Sequence, residues 1–169
     1  GILAAIGIPF YNQYSLQAKV NATKANHINV KNFIEYSFTQ CAMQSNDISF
    51  EYHDFNDNNK RKIYSQSCPN FTNLDILNFG NKYLLYIAKN PFNGNPAGIQ
   101  GKETPRGGTL GATLVYQGNS EHSMGDAGYL NHTDGYNWIE TCAENKDWDW
   151  MGCSSNDGDL IVDIISISN

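Results

Sequence analysis

The chain begins with the stretch GILAAIGIPF (residues 1–10), which continues as YNQY (residues 11–14). This stretch is apolar and uncharged, whereas the ends of soluble domains are usually polar and poorly ordered. An apolar run of this length is too short to span a bilayer, which needs roughly 20 residues, and it lacks the basic start of a signal peptide. We therefore expect it to be part of a longer hydrophobic helix.

A helical pattern continues after this stretch to about residue 40. Apolar and small polar residues recur at alternating spacings of about four and three, which places them on one stripe of a helix. The residues of this stripe are Leu16, Val20, Thr23, His27, Val30, Ile34 and Phe38. The charged residues Lys24, Lys31 and Glu35 fall mainly on other faces. The pattern thus predicts an apolar assembly segment over residues 1–15 and an amphipathic helix over residues 16–40 whose stripe covers a sheet.

Pro9 lies inside the predicted helix. Its missing N–H removes the hydrogen bond to the carbonyl of Ala5, and Gly1 and Gly7 lower the helix propensity further. Two interpretations remain open: a simple kink in a rigid helix, or a segment that melts locally.

The run from Gly1 to Pro9, followed by Tyr11, Tyr14, Ala18 and Lys19, resembles the N-terminal helix of type IV pilins and their pseudopilin relatives. The resemblance covers residues 1–40 and implies the pilin fold, an α+β structure with a long N-terminal α-helix packed on an antiparallel β-sheet of about four strands. Members of the family start earlier, with an N-methylated aromatic residue and a nearby glutamate important for assembly. Neither residue is present here, so neither role is assigned.

The resemblance also implies a function: a structural subunit that polymerises into a helical filament of identical copies. Such a subunit resides in the inner membrane before assembly and then displays its head on an extracellular pilus for adhesion or motility. In the family, the region around Gly7 and Pro9 can lose helicity during packing. The implied assembly residues are Gly1, Ile2, Leu3, Ile6, Gly7, Ile8, Pro9, Phe10, Tyr11 and Tyr14. The alternatives are a type II secretion pseudopilin and, from another class, a secreted binding module.

Four cysteines allow three disulfide connectivities. They contain no C-x-x-C pair, which disfavours a zinc or thioredoxin-like site. The resemblance favours Cys41 with Cys68 and Cys142 with Cys153, because the second pair matches the C-terminal disulfide loop typical of pilins. Disulfides would indicate an oxidising compartment, and free buried thiols are the alternative.

Residues 41–169 are predicted to form one globular head. Strands are expected at residues 46–53, 63–66, 109–116, 136–141 and 160–167, and a strong strand candidate at residues 82–88 is rich in aromatic and branched side chains. Residues 71–79 are predicted to be a connection that ends at Gly80. The span 41–80 corresponds in layout to the variable αβ-loop of pilins, and the span 142–153 to their C-terminal disulfide loop.

Composition and motifs exclude several functional classes. The net charge of −6 disfavours nonspecific binding to nucleic acid or to anionic membranes, and no specific nucleic-acid site is evident. The cluster Lys60-Arg61-Lys62 is interpreted as a solvated turn. The chain contains no G-x-S-x-G, H-E-x-x-H, P-loop or dinucleotide motif, so no enzyme and no catalytic residue is predicted. His27 is interpreted as a hydrogen-bonded core histidine.

Calcium is the single cofactor candidate. Asp54, Asn56 and Asn58 have the spacing that opens an EF-hand loop, but Asn59 replaces the required glycine and Ser65 the bidentate glutamate. An Asn/Asp-rich turn is the alternative. A second short acidic set contains Asp157 and Asp159.

Trp148 and Trp150 lie between Cys142 and Cys153. Tryptophans confined in a short disulfide loop offer a rigid aromatic surface, which makes them candidates for a surface contact. The alternative is that they pack down and hold the loop.

Overall fold

The computed structural model describes residues 2–43, 47–54, 57, 60–68, 73–98, 110–117, 137–143 and 160–165. The elements follow in the order α1 (Ile2–Met43), β1 (Ile48–Asp54), β2 (Lys60–Gln66), α2 (Asn73–Tyr86), β3 (Thr113–Gln117), β4 (Asn137–Cys142) and β5 (Leu160–Ile165). The protein is therefore of the α+β class with a long N-terminal helix.

The buried side of α1 is the stripe that its sequence predicts. Val20, Thr23, His27, Val30 and Ile34 are each at most 1% exposed. Burying one stripe against other elements is the main source of stability for an amphipathic helix. The structure differs from the predicted stripe at both of its ends.

At the N-terminal end of the stripe, the prediction for Leu16 was wrong. Its side chain is 49% exposed, because the described packing of α1 begins at Val20. At the other end, Ser37 is buried beside the half-buried Phe38, and its hydroxyl donates a hydrogen bond to the carbonyl of Phe33.

Strands β3, β4 and β5 form an antiparallel sheet in that order. Its register pairs Val115 with Ile139 and Ile139 with Asp163, and it pairs Thr113 with Thr141. Because side chains alternate between the two faces of a strand, these residues share the face that packs against α1. Val115, Ile139 and Ile165 form one core cluster with Val30 and Ile34 of α1.

The other two strands form a separate hairpin. β1 pairs antiparallel with β2, with Phe50 opposite Tyr64. Phe50 packs edge-on against Phe33 of α1 and against Phe79 of α2, at centroid distances of 5.5 and 5.2 Å. The described strands thus divide into a pair and a group of three, and the hairpin is attached to the helices by an aromatic cluster.

The strand predicted at residues 82–88 was wrong, as was the connection at residues 71–79: the chain there forms α2 up to Tyr86. Phe79 and Tyr83, one turn apart, both stack on Phe33, and this spacing of four is helical. A local run of aromatic and branched residues suits a strand, but contacts with α1 select the helix. Gly80 lies at the crossing, where an added Cβ would stand 2.7 Å from Cδ1 of Ile34.

The Gly-, Pro- and Asn-containing segment that follows α2 begins with an ordered turn at Asn90. Asn90 is buried, and its side-chain amide donates to the carbonyl of Leu110 while its Oδ1 accepts from the backbone N–H of Phe92, both at 2.8 Å. The Asn26 side chain on α1 donates to the Lys89 carbonyl at 2.8 Å. This turn therefore connects α1 to the start of β3.

The predicted disulfide between Cys41 and Cys68 is confirmed. It joins the last turn of α1 to the residue that follows the hairpin, so the hairpin lies inside the closed loop. Cys142 is buried and is also disulfide-bonded. Cys153 lies outside the described residues, so its pairing stays a prediction.

The remaining strand predictions match described elements with small shifts. β1, β2, β4 and β5 overlap the spans predicted from the sequence, and β3 begins four residues later than expected, at Thr113. α1 extends to Met43 rather than residue 40.

We expect replacement of both Cys41 and Cys68 by serine to lower the free energy of unfolding by about 3 kcal/mol, because the bridge closes a loop with a sequence separation of 27. Chemical denaturation of the oxidised protein and of the variant measures the difference. Adding a reductant to the variant serves as the control for the remaining cysteines. Equal stability of the two proteins would contradict this role of the bridge.

We expect Gly111→Ala to be much more costly than Gly94→Ala. Both glycines have positive φ, 84° and 75°, so each substitution costs about 1 kcal/mol in backbone strain. A Cβ on Gly111 also overlaps Oδ1 of Asn90, whereas one on Gly94 meets nothing within 4 Å. Denaturation midpoints should show a total loss of about 2 to 4 kcal/mol for Gly111→Ala. Equal losses of stability for both variants would show that the Asn90 turn moves away from the added Cβ at no cost in free energy.

Candidate assembly interface

The N-terminal part of α1 exposes large apolar side chains. Tyr14 is 81% exposed, Tyr11 75%, Phe10 69% and Ile8 60%. The chain carries no charge before Lys19. Contiguous exposed apolar surface of this kind marks an interaction site in a folded protein.

The predicted assembly residues fall into three groups in the structure. Ile8, Pro9, Phe10, Tyr11 and Tyr14 are all exposed on α1, and an added Cβ at Gly7 meets nothing within 4 Å. Ile2, Leu3 and Ile6 lie within α1, and Gly1 lies outside the described residues.

The helix continues through Pro9 without a break. The kink in a rigid helix and the local melting on assembly both stay predictions. In the described residues, no helix combines the length and the apolar character needed to cross a membrane.

A second exposed feature runs along α1, opposite its buried stripe. We call it the outer stripe, and all of its members are exposed and uncharged: Tyr14, Ala18, Asn21, Ala25, Ile28, Asn32, Tyr36, Thr39 and Met43. Their spacings of three and four place them on one helical face. The exposed charges Lys24 and Glu35 lie beside this stripe. The face that points away from the head therefore carries no charge, like the apolar end and unlike a typical solvated helix surface.

On the opposite side of α1, His27 forms a polar network inside the interface with the sheet. Its Nδ1 lies 2.8 Å from the hydroxyl of Thr141, which lies 2.7 Å from the hydroxyl of Thr113. Its Nε2 lies 3.1 Å from Oδ2 of Asp163, and the ammonium of Lys31 approaches the same oxygen at 3.1 Å. His27 is confirmed as a hydrogen-bonded core histidine.

Burial and neighbouring charges shift the pKa values of Asp163 and His27. Burial acts to raise the pKa of Asp163, but hydrogen bonds from His27 and Lys31 outweigh it and hold that pKa below its ordinary value. Burial lowers the pKa of the His27 ring, against the opposing effect of Asp163. The ring is therefore neutral and the carboxylate ionised at neutral pH. Thr141, His27 and Asp163 have the residue types of a hydrolase triad, but His27 and Thr141 are at most 1% exposed, so the arrangement is structural.

The candidate calcium ligands at the hairpin tip are partly described. Asp54 accepts a hydrogen bond from the Lys62 ammonium at 2.8 Å, and Asp57 contacts Lys62 and Lys60 at 3.1 and 2.9 Å. Arg61 contacts Glu51 on the neighbouring strand. The basic cluster thus neutralises the local acids, and lysine ammonium groups occupy the carboxylates that a cation would need.

The other candidate residues lie outside the described part of the chain. They are Asn56, Asn58, Asp157, Asp159, Trp148, Trp150 and Cys153. Within the described ranges, no group of three or more His, Cys, Asp or Glu side chains is placed to hold a metal ion. The Trp148 and Trp150 surface contact stays a prediction.

Sequence reasoning placed His27 correctly but did not find its partners. Thr141 and Asp163 are 114 and 136 residues away along the chain. The available signal was the alternation in β4 and β5, which places Thr141 and Asp163 on the faces occupied by Ile139 and Ile165. Only the pairing of the strands reveals that both polar residues meet the same histidine.

Comparison with known proteins finds no matching family model, no similar curated protein and no similar solved structure.

Proposed function

We propose that the protein is a structural subunit of a type IV pilus filament, which polymerises through its N-terminal hydrophobic helix and displays its globular head for surface adhesion or motility. The finer fold proposed with it is the pilin fold, in which the helix packs on an antiparallel sheet of about four strands. The unassembled subunit would reside in the inner membrane and the assembled one in an extracellular pilus.

One observation carries the proposal: a long helix is anchored in the head by one buried stripe while its apolar end is left exposed. Phe10, Tyr11 and Tyr14 are each more than two-thirds exposed, and burial against another molecule would remove the cost of this exposure to solubility. Burial of apolar surface contributes roughly 25 cal/mol per Å². The resemblance of Gly1 to Pro9 to pilin helices supports the same interpretation.

The geometry of such a contact favours an open polymer. In the proposed filament, the helices of successive copies are displaced along a common axis, so each contact joins two different surfaces and is head-to-tail. A head-to-tail contact repeated by a fixed screw yields a filament when the rotation does not close. The outer stripe supports the proposal, because an uncharged helix face allows acidic subunits to approach one another with little repulsion.

The two alternative functions, a secretion pseudopilin and a secreted binding module, require different features of the chain. A secretion pseudopilin of the same family would form a short filament and use calcium in an acidic C-terminal loop, where the candidates Asp157 and Asp159 lie outside the described residues. The Cys41–Cys68 disulfide and the disulfide-bonded Cys142 favour the surface pilus. A secreted binding module would use the Trp148 and Trp150 loop and would not need the helix end.

Deleting residues 1–10 tests the proposal. The deletion removes no residue of the buried stripe, whose first buried member is Val20, so the head should keep its fold and its thermal unfolding midpoint. Filaments seen by electron microscopy for the intact chain should be absent for the deletion. Filaments that persist after the deletion would refute polymerisation through this end, and ligand binding without filaments would favour the binding module.

A pair of isoleucine substitutions tests the outer stripe. Ile28 on α1 and Ile63 on β2 are both exposed, at 54% and 65%, so replacing either by glutamate should change stability by no more than about 1 kcal/mol. We expect Ile28→Glu to reduce filament formation at least tenfold in a sedimentation assay, since a buried charge without a partner is costly. Ile63→Glu, the matched control, should assemble normally. Equal assembly of both variants would exclude the outer stripe from subunit contacts.

A further inference from the structure

We propose that His27 is an acid-sensitive latch between α1 and the β3–β4–β5 sheet: protonation of its ring in the buried hydrogen-bonded network weakens the attachment of the helix to the sheet. This inference concerns the folded subunit alone and does not depend on filament formation.

The direction of each hydrogen bond follows from the chemistry of the groups. An ionised carboxylate only accepts, so Nε2 of His27 carries the hydrogen and donates it to Oδ2 of Asp163 over 3.1 Å. In the neutral ring, Nδ1 is then the acceptor, and the Thr141 hydroxyl donates to it over 2.8 Å. The Thr113 hydroxyl donates in turn to Thr141 over 2.7 Å. The chain of donors runs from Thr113 through Thr141 and His27 to Asp163.

Protonation at Nδ1 breaks this order. Nδ1 becomes a donor, so the Thr141 hydroxyl must accept from it and turn its own hydrogen toward Thr113. The Thr113 hydroxyl then loses its acceptor at a position with no solvent exposure. Buried hydrogen-bonding groups without partners are costly, so the reversed network is less stable than the neutral one.

Burial of the ring lowers its pKa and outweighs Asp163, which raises it, while the nearby charge of Lys31 lowers it further. The titratable groups that face His27 in the described residues are Asp163 on β5 and Lys31 on α1, while β4 and β3 present the threonine hydroxyls. Asp163 already shares its Oδ2 with Lys31, so an imidazolium adds a second cation to one carboxylate. His27 itself is 1% exposed, and water does not compensate the new charge.

The position of His27 explains why loss of this network would weaken the attachment of α1 to the sheet. Val20 and Thr23 precede it and Val30 and Ile34 follow it on the buried stripe, so it lies near the middle of the contact between α1 and the sheet. Its direct partners lie on β4 and β5, and Thr113 on β3 joins the network through Thr141. Loss of the network therefore weakens the attachment of α1 to the sheet near the middle of the contact rather than at a frayed end.

The sign of the pH dependence follows. The pKa of the His27 ring lies below its ordinary value of 6.5, mainly through burial, so the unfolded chain binds the proton more readily than the folded protein. The stabilising contribution is fully present above pH 6.5 and is lost as the pH falls toward the folded pKa. For each pH unit between these two pKa values, the folding equilibrium constant falls about tenfold.

The test compares His27→Gln with the wild type and with His53→Gln. Glutamine can donate to Asp163 and accept from Thr141 but does not titrate, and His53 is an exposed histidine on β1 that receives the same substitution. Urea denaturation at intervals from pH 8 to pH 5 gives the folding constant of each protein. The wild type and His53→Gln should lose a larger factor of their folding constant across this range than His27→Gln, because only they retain the histidine whose pKa is lowered by folding. Equal slopes for wild type and His27→Gln would overturn the latch.

A second measurement keeps the proposal testable if His27→Gln does not fold. The ring protons of His27 can be titrated by NMR in the wild-type protein, with assignment by comparison with His53→Gln and selective labelling. A midpoint below 6.5, accompanied by lower hydrogen-exchange protection factors of the β4 and β5 amides in the same pH range, supports the latch. A midpoint at or above 6.5 overturns it.

Discussion

The packing of one stripe of α1 against the head is the constraint on which the rest of the structure depends. Val20, Val30 and Ile34 are buried almost completely, and Val30 and Ile34 pack in one core cluster with residues of the sheet and of α2. A surface helix that packs one stripe against the core leaves the opposite stripe exposed. The same packing therefore fixes the core of the head and determines which face of α1 and which apolar end are left for other molecules.

The polar groups within this interface restrict how β4 and β5 can be aligned with α1. A buried histidine that accepts from Thr141 and donates to Asp163 requires β4 and β5 to be in one register relative to α1. A shift of either strand by one residue would turn these side chains to the other face and leave the ring without partners. Apolar packing supplies most of the free energy, and the network selects one alignment.

The hairpin is attached differently from the sheet. The Cys41–Cys68 bridge closes the segment that contains it, and Phe50 packs against Phe33 and Phe79. Its tip is neutral because Lys60 and Lys62 balance Asp54 and Asp57. The same aromatic cluster explains why residues 73–86 form a helix: the rings at Phe79 and Tyr83 meet Phe33 together only with helical spacing.

The sequence by itself determined the parts that depend on local periodicity. The spacing in α1 identified its buried stripe and the core histidine, alternation located most strands, and the lack of charge before Lys19 marked the exposed end. Tertiary structure decided what local pattern leaves open: the helix at residues 73–86, the exposure of Leu16, the ordered turn at Asn90, and the meeting of His27 with Thr141 and Asp163. These depend on contacts between residues far apart in the chain, whose free energies outweigh local propensity.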